Sequence, residues 1–110
     1  MKIAISSLGR ETGSGLDPRF GRCRYLIIYD TETKEASVLD NGDCDQMAHG
    51  AGIQTAQRVV NAGATVAVSG AFGPKAQQVL SAAGITTIQR NEGTVSDVIE
   101  LAQQEKLVTA

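Results

Sequence analysis

Seven residues, Asp17-Pro18-Arg19-Phe20-Gly21-Arg22-Cys23, gather two guanidinium groups, an aromatic ring and a thiol around a helix breaker and a glycine. Pro18 and Gly21 exclude a regular helix or a central strand there. The flanking runs Ile3 to Leu8 and Tyr25 to Tyr29 are strongly apolar. Gly9 to Cys23 is therefore a connection, and connections beyond about 12–15 residues without their own secondary structure are usually functional or disordered. A Phe and a Cys between arginines argue for a site. The plainer reading is an exposed connector whose arginines aid solubility. Arg10, Arg19, Arg22 and Arg24 supply positive charge, so the implied guest is anionic. Cys23, Cys44 and His49 add thiol and imidazole donors that could meet a metal. They form no CxxC pair, so the signal for a zinc site is weak. Each also has a plainer role: a small buried thiol, a loop thiol and a solvated imidazole.

The elements that must position these groups follow from periodicity. Lys2 to Leu8 reads as a first strand, Arg24 to Asp30 as a second, and Glu35 to Leu39 as a half-buried third that closes a hairpin across Thr31 to Lys34. Ile53, Ala56, Gln57, Val59 and Val60 recur at helical spacing, with Gly63 as terminator. Thr65 to Val68 is a fourth strand of the doubly buried kind. Pro74 suits the first position of a second helix whose stripe is Ala76, Val79, Leu80 and Ala83. After Gly84, Ile85 to Ile88 forms a fifth strand. Thr94 with Asp97 resembles a capping pair for a third helix, whose buried face is Val95, Val98, Ile99 and Ala102. The tail from Glu105 to Ala110 is left unassigned.

This succession, β-β-β-α-β-α-β-α, predicts an α/β fold with a five-stranded mixed sheet ordered 3-2-1-4-5. Strand two runs against strand one, and strands four and five run with it. Following chain direction, the connections Gly9 to Cys23, Asp40 to Gly50, Ser69 to Gly73 and Gln89 to Gly93 share one edge of the sheet. Ligands of such sheets bind at that edge, outside the carboxyl ends of the parallel strands. His49-Gly50-Ala51-Gly52 and Ser69-Gly70-Ala71-Phe72-Gly73 precede two helices and would aim backbone N–H groups at an anion. The glycines predict that Gly9 to Cys23 and Asp40 to Gly50 stay mobile until a guest orders them. The faces taken by the helices are left open.

Asp17-Pro18-Arg19-Phe20-Gly21-Arg22, His49-Gly50-Ala51-Gly52, and Ser69-Gly70-Ala71-Phe72-Gly73-Pro74-Lys75-Ala76 with Leu80 and Ala83-Gly84-Ile85 together resemble the dinitrogenase iron-molybdenum cofactor family. The resemblance spans nearly the whole chain. It implies a ribonuclease-H-like fold and a family that includes nitrogenase cofactor carriers and the molybdenum-copper orange protein. It further implies a non-enzymatic protein that binds, carries or stores an anionic metal-sulfide cluster of molybdenum-copper, iron-molybdenum or iron-sulfur type. The candidate cofactor-binding residues are Arg19, Phe20, Gly21, Arg22, His49, Gly50, Gly52, Gly70 and Gly73; the candidate metal ligands are Cys23, His49 and Cys44. Cys23 stands where the family more often has a small apolar residue. It is either a thiolate for the metal or a silent small-hydrophobe exchange.

Rival classes are weighed against the same residues. A nuclease or sugar-kinase-type ATPase of this topology needs a carboxylate on the first strand for Mg²⁺, and Lys2 to Leu8 has none. A thiol-based redox switch or oxidoreductase using Cys23 is the alternative, since Arg22 and Arg24 flank it. At 110 residues the chain reads as one domain, 1–110, able to bury a core without staples. A net charge of −2 without a basic block gives no footprint for nucleic acid. Met1-Lys2 leads into Ile3 with no apolar run long enough for a leader or a membrane span. We therefore expect a cytoplasmic monomer with free thiols and no nucleic-acid or membrane partner. Its partners would be the metal cluster itself and, on the resemblance, cluster-assembly or ATP-dependent proteins.

Overall fold

A computed structural model describes residues 1–107, apart from the side chains of Asp45 and Gln46. The tail at 108–110 lies outside the described residues. The strands are β1 (Lys2–Ser7), β2 (Tyr25–Asp30), β3 (Glu35–Asp40), β4 (Val66–Ser69) and β5 (Thr86–Gln89). The helices are α1 (Ala51–Asn61), α2 (Pro74–Ala82) and α3 (Val95–Gln103), with a short 3₁₀ helix at Gly42–Gln46 inside the expected connection from Asp40 to Gly50. The sheet order is β3-β2-β1-β4-β5. β1 pairs antiparallel with β2 and parallel with β4, β4 parallel with β5, and β2 antiparallel with β3. Order and directions are those expected, and they are consistent with a ribonuclease-H-like arrangement.

The sheet divides the core into two layers. Ala4, Leu26, Ile28 and Ala67 pack with Ala56 and Val59 of α1 and Ala76 and Leu80 of α2. The opposite face, Ile3, Ile5, Ile27, Tyr29, Val66 and Val68, packs with Val95, Val98 and Ala102 of α3. Small residues at Ala4, Ala56, Ala67 and Ala76 let α1 and α2 lie close to the sheet and side by side. Among the described residues no helix is long and apolar enough to cross a membrane.

Two expectations are corrected. The helical spacing expected for α1 begins at Ile53, but that residue is 39% exposed. The helix starts two residues earlier and turns Ala51, Thr55, Ala56 and Val59 inward. β3 was read as half-buried, yet only Leu39 in it is partly covered. It is an edge strand to one side of both helix layers.

Helix ends follow their local chemistry. Gly63 and Gly84 take left-handed φ after α1 and α2. The Thr94 hydroxyl accepts from Asp97 N–H at 3.2 Å and the Asp97 carboxylate accepts from Thr94 N–H at 2.8 Å. That capping box satisfies two donors at the start of α3. Thr94→Ala is expected to lower unfolding free energy by about 1 kcal/mol in a urea titration while Thr94→Ser retains it; equal losses in both would show that the hydroxyl is not responsible.

Candidate functional site

The long connection after β1 is hydrogen-bonded to the sheet edge and to two neighbouring loops. Asp17 is the anchor, 1% exposed. Its N–H donates to Ser6 O at 3.0 Å, and its carbonyl accepts the hydroxyls of Ser6 at 2.7 Å and Ser69 at 3.3 Å. Ser6 is the last but one residue of β1 and Ser69 the last of the adjacent parallel strand β4, so the clamp ties the connection to the centre of the sheet edge. The Asp17 carboxylate accepts from Arg19 N–H at 2.9 Å, and Phe20 N–H donates to Ala71 O at 3.1 Å. Leu16 N–H donates to Gly93 O, and Val95 N–H to Ser14 O. The loops before α2 and α3 are thus joined to the same connection.

Glycine lets these backbones meet. A Cβ at Gly70 would lie 2.5 Å from Pro18 Cα, and one at Gly21 would lie 2.9 Å from Gly52 Cα. Gly50 has φ +80° at the turn into α1, a conformation costly for other residues. Gly73 is different: its φ is −68° and a Cβ there would meet nothing within 4 Å.

Between these loops lies an open pocket of about 460 Å³. Its walls are Arg19 to Arg22 on one side, Ala48 to Gly52 on another, and Ala71, Gly73 and Lys75 on the third. α1 and α2 both begin here, neither has a side-chain cap, and neither has an acidic residue in its first turn. The first intrahelical bonds are Gln54 N–H to Gly50 O and Gln77 N–H to Gly73 O. The preceding N–H groups, at Ala51, Gly52 and Ile53 and at Lys75 and Ala76, have no intrahelical acceptor. α3, which starts outside this pocket, caps itself. Two positive helix ends with Arg19, Arg22 and Lys75 around them make an anion-binding arrangement. A roomier cavity of about 580 Å³ opens at Met1, Thr31, Lys34 and the last turn of α3. There the carbonyl end of a helix gives an anion the wrong sign of dipole.

The candidate residues divide clearly. Arg19, Gly21, Arg22, His49, Gly50, Gly52 and Gly73 line the pocket. Arg19 is solvated and its Nε lies 3.7 Å from Asp17 Oδ1. Arg22 is half-buried and donates to Cys44 O at 3.3 Å and Met47 O at 3.1 Å, so it also holds the segment leading to His49. Phe20 borders the pocket, but its side chain is 1% exposed and its ring stands 4.9 Å from that of Phe72, as an anchor in the core. Gly70 sits behind the wall against Pro18. Arg10 and Arg24 turn away, flanking the Tyr25 ring at 4.9 and 5.6 Å.

Cys23 and Cys44 are fully buried and lie outside the pocket lining. Burial, reinforced by the charge of Asp17, pushes the Cys23 thiol up to about 12. It is protonated at neutral pH, which removes the basis for reading it as an activated nucleophile. Among the described residues no group of three His, Cys, Asp or Glu side chains could hold a metal ion. Cys23, Cys44 and His49 are therefore not brought together as a ligand set.

Sequence reasoning missed Lys75 as a lining residue, although its place just after Pro74 in a first helical turn was a usable signal. It also missed Asn41, Thr55 and Arg58, which form a polar cluster behind the pocket. Arg58 donates to both Asp43 carboxylate oxygens at 2.8 Å, which holds that carboxyl below its usual range.

The fold and site define a small α/β protein with a glycine-walled, cation-lined pocket at the carboxyl edge of a 3-2-1-4-5 sheet. Residues 1–105 match the family described as dinitrogenase iron-molybdenum cofactor, and the chain belongs to it. It is 30% identical to an uncharacterised protein of Methanocaldococcus jannaschii, covering 97% of this chain and 89% of that protein. Among solved structures it is similar to the apo form of the orange protein from Desulfovibrio gigas. The TM-score there is 0.89 with 39% identity, over 96% of this chain and 88% of that one. It is also similar to a putative NifB protein from Thermotoga, with a TM-score of 0.82, 32% identity and coverage of 96% and 89%.

Proposed function

We propose that this protein binds and carries an anionic metal-sulfide cluster, of molybdenum-copper, iron-molybdenum or iron-sulfur type, as a non-catalytic carrier or store. The observation that supports this best is the contrast between helix starts: α3 caps itself, while α1 and α2 leave their N–H groups open on a pocket lined by cations. Arg19, Arg22 and Lys75 would supply charge, the first turns of α1 and α2 would supply donors, and His49 would complete the rim or reach a metal directly. Gly21, Gly50, Gly52 and Gly73 keep the wall thin enough for a guest to meet the backbone. Phe20 and Gly70 hold the wall from behind. The cluster would bring its own sulfide ligands, which suits a pocket without thiolates. Membership of a cofactor family and likeness to the orange protein support the same reading. Cluster-assembly or ATP-dependent proteins are the partner class that would load and unload such a cargo.

The test is anaerobic incubation of the purified protein with tetrathiomolybdate and copper(I), or with ferrous iron and sulfide, followed by gel filtration, absorption spectroscopy and metal analysis. Metal and sulfide should travel with the protein. Removing both exposed cations, Arg19→Ala with Lys75→Ala, should weaken retention about tenfold at low salt and shrink its salt dependence, because such contacts are screened when partly exposed. Cys23→Ser should leave the cluster spectrum unchanged, whereas His49→Ala alters it if the imidazole meets the metal. Retention unaffected by the double substitution would remove this edge as the site.

A further inference from the structure

Asn41 follows β3, is fully buried, and uses both ends of its carboxamide. Nδ2 donates to Cys23 O at 2.9 Å and to Thr55 Oγ1 at 3.0 Å. The Thr55 hydroxyl donates onward to Gly21 O at 3.1 Å, in the pocket wall. Oδ1 accepts from Arg58 Nη1 at 2.6 Å and from the Cys44 thiol at 3.5 Å. The Asn41 backbone is fixed too, its N–H donating to Arg24 O at 2.8 Å and its carbonyl accepting from Cys44 N–H at 3.0 Å. One amide therefore holds the Gly21–Cys23 wall on one side and the segment leading to Ala48 and His49 on the other.

From this we infer that Asn41 is a positioning residue of the anion pocket, setting the separation of its two walls through Thr55 and Arg58 without touching the guest. The inference rests on the pocket being the binding site. The chemistry requires an amide. Aspartate has nearly the same shape and would keep the bond from Arg58, but it has no Nδ2 donor. It would set a carboxylate oxygen against the carbonyl of Cys23, and both walls would move. An apolar residue would leave Cys23 O, Thr55 Oγ1 and Arg58 without their shared partner. The sulfurs at Cys23 and Cys44 fit this reading as small packing groups around the amide.

The experiment compares wild type, Asn41→Asp and Val98→Ala. Val98 packs in the α3 layer on the far side of the sheet and serves as a destabilised comparator. Tetrathiomolybdate binding is titrated by absorption, and the amide resonances of Gly21, Met47 and Gly50 are followed in ¹H–¹⁵N spectra. Asn41→Asp should bind about tenfold more weakly, as loss of an outer supporting contact does at metal sites, and should shift those resonances without the probe. Val98→Ala should lower thermal stability yet keep the wild-type affinity. Where Asn41→Asp does not fold, Thr55→Val removes the relay hydroxyl alone, and should shift Gly21 and weaken binding about fivefold. Wild-type affinity with unmoved resonances in either variant overturns the inference. Failure of the wild type to bind the probe overturns the pocket reading itself, and the inference with it, so the two failures are distinct.

Discussion

Gly70→Ala is expected to destabilise the fold by about 2–3 kcal/mol and to abolish guest binding, because the added methyl would be driven into backbone. Its Cβ would stand 2.5 Å from Pro18 Cα and 2.9 Å from Pro18 O, and neither atom can rotate away. The Asp17–Phe20 segment must lift off the β4–α2 turn to make room. Lifting it strains the Phe20 N–H bond to Ala71 O and carries Arg19 out of the pocket. Gly73→Ala, three residues on, is the comparison: its Cβ meets nothing within 4 Å and its φ suits any residue, so stability should stay within a few tenths of a kcal/mol of wild type. Urea titrations of the two variants decide the matter, and equal stabilities would show that the turn adapts.

Cys23 carries the second large effect, and its sign follows from linkage. In the native protein the thiol keeps its proton to about 12, whereas its ordinary value is 9.0. Below pH 9 both states are protonated and the full stability is present. Between pH 9 and about 12 the unfolded chain releases a proton that the native one retains, so stability falls as pH rises, by at most about 4 kcal/mol over the whole interval. Cys23→Ala should show a shallower decline of unfolding free energy across that interval than wild type. Parallel pH profiles would mean that the native thiol ionises freely, and would restore the redox reading that its burial removes.

Strand order and helix ends were legible because they depend on local chemistry and on direction. The Thr94 and Asp97 pair, Pro74 at a first helical position, and Gly63 and Gly84 as terminators each act within a few residues. Chain direction then brought Gly9 to Cys23, Asp40 to Gly50 and Ser69 to Gly73 to one edge. Long-range partners were not legible. Asn41 stands in an Asn-Gly dipeptide that reads as a turn, and nothing in its neighbourhood signals Cys23, Thr55 or Arg58 around it. Cys23 beside two arginines looked electropositive, but Arg24 bonds the Tyr25 hydroxyl and Arg22 the carbonyls of Cys44 and Met47, while the thiol turns into the core. Ile53 misled because an apolar residue at helical spacing is normally inside; here the buried place goes to Thr55, whose hydroxyl has polar work on both sides.

The parallel pairing of β1 with β4 also governs when the pocket can exist. Ile3 meets Val66 and Ile5 meets Val68, so the sheet centre forms only after a long stretch of intervening chain has been closed into a loop, a slow and entropically costly step. The β1–β2–β3 meander closes shorter loops than the β1–β4 pairing does and can assemble first during synthesis. Arg19 and Arg22 are then present on an early-formed piece, but Lys75 and the start of α2 are not, and the serine clamp on Asp17 lacks Ser69. A nascent chain thus has no mouth to fill until β4 docks. On the proposed function, loading would be confined to finished molecules, and a guest binding only the closed edge would draw the late folding step toward completion by mass action.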